Sequence, residues 1–401
     1  MAPNALIEPH RAAKQNSAPD GPDMTYHAEL APRRGRSWLI ATPLIVVLAL
    51  AAAWSALWFY ASGEAETRIN AWQAQQAAAG RTFTCGNQAV GGFPFRIEVR
   101  CTTVSVELKD ARPAIAIKLN EILVVSQVWQ PTMLIAEFTG PLIASDPGQP
   151  PYLTAGWTLA QASVRGTPST PERASIAIDN LKLDGAIPGA PPLLDARHAE
   201  FHARVQFGSW PQNPAIDLVT KLVGATSGIH PLAGQPFDAD ILAVLHGMRD
   251  FVMKPLPVRL REWQAAGGRL EIQNARLAQG DALATATGLL ALTQRGGLDG
   301  TLQLNAANIE KLLPTLTGGK TGPAMALDRA APALNAIDRA IPGLSARIAP
   351  QQQQSLSAGL LGLLGKPVEI EGKRGASLAV KFSDGNASLG PIPLGQVPPA
   401  F

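Results

Sequence analysis

The first strong pattern along the chain is the apolar run Ser37–Ser62, which contains no charged residue. A helix of about 20 apolar residues crosses the roughly 30 Å of hydrocarbon in a bilayer, and this run is longer. Trp38 lies near one end of the run, and Trp58 and Tyr60 lie near the other, as is typical of side chains at a membrane interface. The pattern predicts a transmembrane anchor over residues 37–62.

The charges that flank this run predict its orientation. A group of arginines that ends at Arg36 precedes the run, whereas Glu64 and Glu66 follow it. By the positive-inside rule, residues 1–36 form a short, disordered cytoplasmic arm. The alternative is a cleaved signal peptide with its site near Ala51–Ala53, although the apolar part of such a peptide has only about 7 to 15 residues. Both interpretations place the remaining chain outside the cytoplasm, and we expect a single-pass inner-membrane protein with its bulk in a bacterial periplasm.

The helical pattern continues beyond the anchor and then changes. Ile69 and Trp72 recur at helical spacing, and Gly80 is a residue that commonly ends a helix. These residues predict a helical stalk over residues 63–80. From Phe95 onward apolar and polar residues alternate, which is the pattern of a half-buried strand.

The first alternating segment changes phase once. Ile97 and Val99 occupy alternate positions, the phase slips at Thr102 and Thr103, and the alternation resumes with Val104. A slip inside one strand predicts a β-bulge.

Further strands follow, each bounded by Gly, Pro, Asn or Asp. They are predicted at Ile115–Leu119, Ile122–Val128, Met133–Phe138, Trp157–Val164, Ala174–Asp179, Ala199–Val205, Leu270–Leu277, Leu283–Thr293, Thr301–Ala306 and Ser377–Phe382. Helices are the minor component, and they are predicted at Asn308–Leu316, Ala324–Ala340 and Gln351–Leu364. We therefore expect a mainly β (α+β) protein, in which the anchor and stalk precede a long, twisted, largely antiparallel sheet with a few packed or capping helices.

Composition sharpens this division of the chain. Hydrophobic residues make up 46% and charged residues 16%, which is the reverse of the composition of a disordered chain. The 37 glycines and 34 prolines fit turns and sheet edges. We expect a β-rich periplasmic domain over residues 81–306, a helical and proline-rich segment over 307–365, and C-terminal strands with a proline-rich tail over 366–401.

The net charge of +3 is spread along the chain. A nucleic-acid-binding protein would show a basic stripe interleaved with aromatic residues, and the sequence has no such stripe. We therefore expect no nucleic-acid partner.

The only two cysteines are Cys85 and Cys101, which are close enough in sequence to sit across a hairpin. In an exported protein this pair predicts a disulfide that stabilises the fold by roughly 3 kcal/mol. Two buried free thiols are the alternative, and a metal site is not expected because no partner ligands lie nearby.

The motifs of common catalytic sites are missing or incomplete. No Gly-x-Ser-x-Gly pentapeptide occurs, and Gly318–Thr321 resembles the end of a phosphate-binding loop without its earlier glycine. His198, Glu200 and His202 share a strand face, but outward residues of any half-buried strand alternate in the same way. Asp238 and Asp240 form a similar solvated pair. We expect no enzyme activity, no catalytic residues, no cofactor and no metal.

One sequence motif after the stalk resembles the signature of a known family. Gly92, Phe93, Pro94, Phe95 and Arg96 match the Gly-Phe-Pro-Phe-Arg signature of an uncharacterised, mostly alphaproteobacterial envelope family, domain of unknown function 2125. Phrases at 263–272 and 385–395 match this family in the same order. The resemblance spans roughly residues 37–400, and the family has no established activity to carry over.

The anchored β architecture is also similar to AsmA-like envelope proteins, whose elongated sheets accommodate lipids. This resemblance implies a role in phospholipid handling or outer-membrane upkeep. The face that carries Ile97, Val99, Val104 and Val106 is then expected to contact lipid, unless helices or a second sheet cover it as an ordinary core. Arg96 could meet a lipid phosphate, but pairing with a neighbouring carboxylate is favoured. The inner membrane and phospholipid are the expected partners, any protein partner is unknown, and a non-catalytic assembly or scaffold protein is the alternative.

Overall fold

A computed structural model describes residues 37–167, 169–228, 235–308, 365–389 and 392–401. The predicted cytoplasmic arm lies outside the described residues. So do the predicted helices between residues 307 and 365, apart from the first residue of the earliest one, Asn308.

The predicted anchor and stalk form one continuous helix, α1, over Ser37–Ala78. Among the described residues it is the one helix long and apolar enough to cross a membrane. The chain leaves this helix through Gly80, whose φ of +80° is a conformation that glycine adopts at little cost. The first strand begins immediately afterwards, at Arg81.

The remainder of the described chain is mainly strand, as the alternating pattern predicts. The strands are β1 Arg81–Gly91, β2 Arg96–Leu108, β3 Ile115–Gln127, β4 Gln130–Thr139, β5 Leu142–Ser145, β6 Pro151–Gly156, β7 Leu159–Gly166, β8 Pro171–Gly185, β9 Leu194–Val205, β10 Ala215–Ala225, β11 Phe237–His246, β12 Arg269–Gln279, β13 Ala282–Leu292, β14 Leu298–Ala307, β15 Lys366–Ile370, β16 Lys373–Ser383, β17 Asn386–Leu389 and β18 Ile392–Gln396. Every ladder between them is antiparallel.

The strands pair mostly in chain order, so one sheet extends from β1 to β18. Two places deviate from a simple meander, because β3 pairs with both β4 and β5, and β8 pairs with both β7 and β6. β14 then pairs with β16, whose other edge holds β15 and β17. The two strands predicted between residues 115 and 128 are a single strand, β3, since Asn120 continues the extended backbone and donates its side-chain amide to the Gly140 carbonyl.

A second helix, α2, spans Leu256–Ala265 and was not predicted, because its apolar residues are too few for a clear helical period. Pro257 lies in its first turn, where a missing backbone N–H costs no helical hydrogen bond and the fixed φ suits a helix. Its Trp263 is buried and donates its indole N–H to the His246 carbonyl at 2.7 Å. α2 therefore fixes the connection between β11 and β12.

The buried hydrophobic core is small and divided. One cluster consists of Ala196, Ala225 and Phe237, and another consists of Leu283, Ala307 and Ile370. Most apolar strand residues are only half-buried. In the described residues, stability therefore comes more from the continuous strand ladders than from a single large core.

Candidate functional site

The register of the ladders aligns apolar side chains into rows that cross the sheet. Residues directly opposite in antiparallel strands share a face, so a row can be followed from ladder to ladder. One such row is Val99, Val124, Ala136, Ala162, Ile176, Phe201, Thr220, Ile241, Ala275, Ala286, Leu304 and Leu378. A second row on the same face is Ile97, Ser126, Leu134, Val164, Ala174, Ala203, Leu218, Ala243, Ile272, Gly288, Leu302 and Val380. We refer to this face, from β2 to β16, as the apolar face.

The opposite face is polar along the same strands. Its corresponding row is Arg100, Leu123, Glu137, Gln161, Ala177, Glu200, Lys221, Asp240, Arg276, Thr285, Asn305 and Ser377. This row is mainly polar or charged, whereas the two rows of the apolar face are built mainly from Ala, Val, Ile, Leu and Phe. The polar face also carries large exposed apolar side chains, at Ile135, Val219, Leu242 and Leu289.

Large side chains of the apolar face remain exposed in the described part of the chain. Leu134, Val164, Phe201 and Ile241 are 42%, 48%, 40% and 41% exposed. A closed core would leave such side chains with a small fraction of that exposure. Apolar surface that stays in contact with water over several adjacent strands usually marks a binding surface.

Where β7 to β10 meet their connecting loops, the apolar face deepens into a cavity of about 270 Å³. Its apolar lining includes Leu134, Val164 and Ile216, and Phe251 contributes from the connection between β11 and α2. Phe251 stacks on Trp210 with ring centroids 5.4 Å apart, and the Trp210 indole N–H donates to the Ser169 carbonyl. Three loops therefore meet at this cavity.

The connection that carries Phe251 is also tied to the first hairpin. The buried Arg81 guanidinium donates to the Met253 carbonyl at 2.7 Å and to the Asp110 carboxylate at 3.2 Å. These bonds join the start of β1 to the β2–β3 turn and to the connection between β11 and α2. The sequence carries no local signal for this tie, because its partners are far apart in the chain.

The four residues predicted to face lipid lie on both sides of the phase slip in β2. Ile97 and Val99 belong to the rows of the apolar face, whereas Val104 is buried and pairs with Cys85 and Leu119. Val106 continues from Val104 and pairs with Ile117.

The predicted disulfide, Cys85–Cys101, is present, with its Cα atoms 5.5 Å apart. Cys85 lies opposite Val104, and Cys101 shares a face with Val99. Because the disulfide joins these two cysteines, both halves of β2 present their apolar side chains on one side of the sheet.

The prediction of a β-bulge is wrong. The pairing of β2 with β1 and β3 keeps one residue opposite one residue, and Thr103 instead adopts a left-handed φ of +53°.

The Gly-Phe-Pro-Phe-Arg motif forms the turn against which α1 packs. Trp54 and Trp58 donate their indole N–H groups to the carbonyls of Pro94 and Arg96, both at 2.8 Å. Phe93 packs edge-on against Trp58, with ring centroids 5.4 Å apart. The motif therefore positions the helix against the first hairpin.

Two further details concern Gly92 and Arg96 of this turn. Gly92 has a φ of +97°, and a Cβ there would lie 2.6 Å from the Arg96 carbonyl oxygen, so glycine is required. The Arg96 guanidinium lies 2.5 Å from the Glu98 carboxylate, as favoured from the sequence.

The histidines singled out from the sequence form a hydrogen-bonded chain on the polar face. His198 Nδ1 lies 2.5 Å from Asp179 and His198 Nε2 lies 2.6 Å from Glu200, while His202 contacts Glu200 and Ser175. Hydrogen bonds to Glu200 and Asp179 raise the pKa of His198, and hydrogen bonds from the two histidines lower the pKa of Glu200. In the described ranges, no group of His, Cys, Asp and Glu side chains could hold a metal ion.

Asp238 and Asp240 also have structural partners. Asp238 accepts a hydrogen bond from the Gly224 backbone N–H at 2.7 Å. Asp240 lies in register with Lys221 on one side and Arg276 on the other. The two carboxylates therefore take part in the polar face.

The comparisons with known proteins give one finding. A family model described as an uncharacterized protein conserved in bacteria (DUF2125) matches residues 58–398. The match covers most of the chain, so the chain belongs to this family. No curated protein and no solved structure matches the chain.

Proposed function

We propose that this family member is held in the bacterial inner membrane by α1 and binds the acyl chains of phospholipids on the apolar face of its sheet. The bulk of the chain lies in the periplasm in this proposal, and its role is non-catalytic. The observation that carries it is the exposure of large apolar side chains in rows that remain in register from β2 to β16.

The dimensions of the apolar face suit hydrocarbon chains. Neighbouring strands lie about 4.8 Å apart, so a row that crosses from β2 to β16 extends over roughly 50 Å along the sheet. One leaflet contributes roughly 15 Å of hydrocarbon to the bilayer core, so the face is longer than one acyl chain. Each methylene group transferred from water to such a surface contributes about 0.8 kcal/mol.

The lining chemistry also favours lipid over a small polar ligand. The cavity beside Phe251 is lined mainly by aliphatic and aromatic side chains, and its charged neighbours Arg165 and Arg173 lie at strand ends. Apolar walls with a few polar groups at the margin are typical of sites for amphipathic ligands.

Two neighbouring residues of β11 allow a matched test. Ile241 lies on the apolar face and is 41% exposed, whereas Leu242 lies on the polar face and is 39% exposed. A charge at either position has a similar cost for folding, but only Ile241→Glu places a carboxylate among the proposed acyl chains. Native mass spectrometry of the full chain, extracted in mild detergent, should show bound phospholipid for the unchanged protein and for Leu242→Glu, and its loss for Ile241→Glu.

Two outcomes would contradict the proposal. The unchanged protein could carry no lipid, or both variants could retain the same amount. Cross-linking in cells that retrieves a protein partner, together with absence of lipid, would instead favour the alternative of an assembly or scaffold protein.

A further inference from the structure

The hairpin tip, which we define as Gly91–Phe95 together with Trp129, exposes an unusual amount of aromatic surface. Phe93, Phe95 and Trp129 are 53%, 59% and 59% exposed. Phe95 contacts both Trp129 and Trp54, with ring centroids 6.3 and 6.4 Å apart. The tip is therefore a continuous aromatic surface.

The contacts of the hairpin tip fix its position along α1. Trp54 and Trp58, which bind carbonyls of the turn, both lie within the uncharged run that ends at Ser62. Because an α-helix rises 1.5 Å per residue, they precede the end of that run by about 12 and 6 Å along the helix axis. Phe59, which stacks on Phe93, lies at the same level. Hence the turn lies beside the last apolar turns of α1 and not beside its charged continuation.

We propose that the hairpin tip is a membrane-docking surface that lies in the headgroup layer of the bilayer, with phospholipid as its partner. The inference rests on the anchoring role of α1 in the proposed function. An amphipathic ring such as that of Trp129 is favoured at this depth, since the ring leaves water while the polar group stays hydrated, and the apolar rings of Phe93 and Phe95 are removed from water there. Arg96, paired with Glu98 and 61% exposed in its side chain, follows directly and lies near the level of the lipid phosphates.

This placement connects the bilayer to the apolar face. Ile97 and Val99, the β2 members of its two rows, come directly after the hairpin tip. Leu134, 42% exposed, lies in the middle of β4, the strand that follows Trp129. A lipid that leaves the bilayer beside the tip would therefore meet apolar side chains of the sheet without crossing a polar barrier.

Single-cysteine labelling can locate the tip in the full chain. Since Cys85 and Cys101 are joined, an added cysteine supplies the free thiol for an environment-sensitive fluorophore. The label is placed at Trp129→Cys and, because that change could disturb the aromatic cluster, separately at the exposed Gln127→Cys, which keeps every ring. Ile187→Cys, 74% exposed in the connection between β8 and β9, is the control.

The protein is reconstituted into vesicles of phosphatidylethanolamine and phosphatidylglycerol that contain doxyl-labelled lipid. We expect labels at positions 127 and 129 to shift to shorter emission wavelength and to lose emission with shallow doxyl groups. The Ile187→Cys label should be quenched only by aqueous iodide. Iodide quenching of the labels at both position 127 and position 129, with no effect of doxyl lipid, would overturn the inference.

The result is separable from the proposed function. If the labels at positions 127 and 129 lie in water, while bound phospholipid is still lost only in Ile241→Glu, the docking surface alone is rejected. If these labels lie in lipid, but the protein carries no phospholipid on its sheet, the lipid-binding function alone is rejected.

Discussion

Trp58 joins α1 to the Gly-Phe-Pro-Phe-Arg motif, and replacing Trp58 tests whether the helix packs against that motif. The residue is 6% exposed, donates its indole N–H to the Arg96 carbonyl at 2.8 Å, and contacts the rings of Phe59 and Phe93. Trp58→Phe removes the donor and part of the ring, and Trp58→Ala removes the packing as well.

The expected magnitudes follow from these contacts. A protein hydrogen bond contributes about 1 kcal/mol net, and truncation of a buried aromatic side chain to alanine costs about 3 to 5 kcal/mol. Local opening of the turn should therefore become roughly fivefold more frequent in Trp58→Phe and more than about 100-fold more frequent in Trp58→Ala, since about 1.4 kcal/mol corresponds to a factor of ten.

Native-state hydrogen exchange of the full chain in detergent measures this opening in peptides that contain residues 92–97. Trp72→Phe is the matched control, because Trp72 is 42% exposed and has an aromatic contact with Phe83 that phenylalanine can keep. It should change exchange in those peptides by less than about twofold, as expected of a surface substitution. If Trp58→Ala also changed exchange there by less than twofold, the assignment of the motif as a helix-docking turn would be refuted.

Two further predictions concern stability. Replacing both Cys85 and Cys101 by alanine should lower the free energy of unfolding by about 3 kcal/mol in urea titrations, because the disulfide closes a loop with a sequence separation of 16; an unchanged value would contradict this. Because the pKa of His198 is raised, its hydrogen bonds contribute their whole stabilisation below pH 6.5, and this contribution is lost as pH rises. Because the pKa of Glu200 is lowered, its hydrogen bonds contribute their whole stabilisation above pH 4.5, and this contribution is lost as pH falls. The difference in urea midpoint between the unchanged protein and Glu200→Gln should therefore be largest between pH 4.5 and 6.5 and should shrink on both sides of this range. A difference that is the same below, within and above this range would refute the pairing.

The features that sequence predicted correctly all depend on residues close together in the chain. The uncharged run, the helical period of the stalk and the alternation of β2 are local patterns, and α1 and the strands follow them closely. The disulfide was predictable for the same reason, because Cys85 and Cys101 are near neighbours in a hairpin. Strands such as β10 and β11 were missed because their apolar and polar residues do not alternate strictly.

The phase slip in β2 shows where local pattern stops being sufficient. The sequence indicates that the apolar face must continue past Thr103, but it does not say how. An inserted residue and a left-handed residue both restore the alternation, and only the partners can distinguish them. Gly86 lies opposite Thr103 between the paired residues of β1, and its missing side chain leaves room for this conformation.

The sequence by itself determined that this is a disulfide-bonded, mainly β protein that begins with a long apolar helix and whose strands alternate apolar and polar residues. Tertiary structure alone decided that the apolar sides align into common rows, that the turn after Gly92 receives α1, and that Arg81 binds the carbonyl of Met253, 172 residues away. The physical reason is that period and turn chemistry act between near neighbours. Register, docking and long-range hydrogen bonds depend on which distant surfaces fit together.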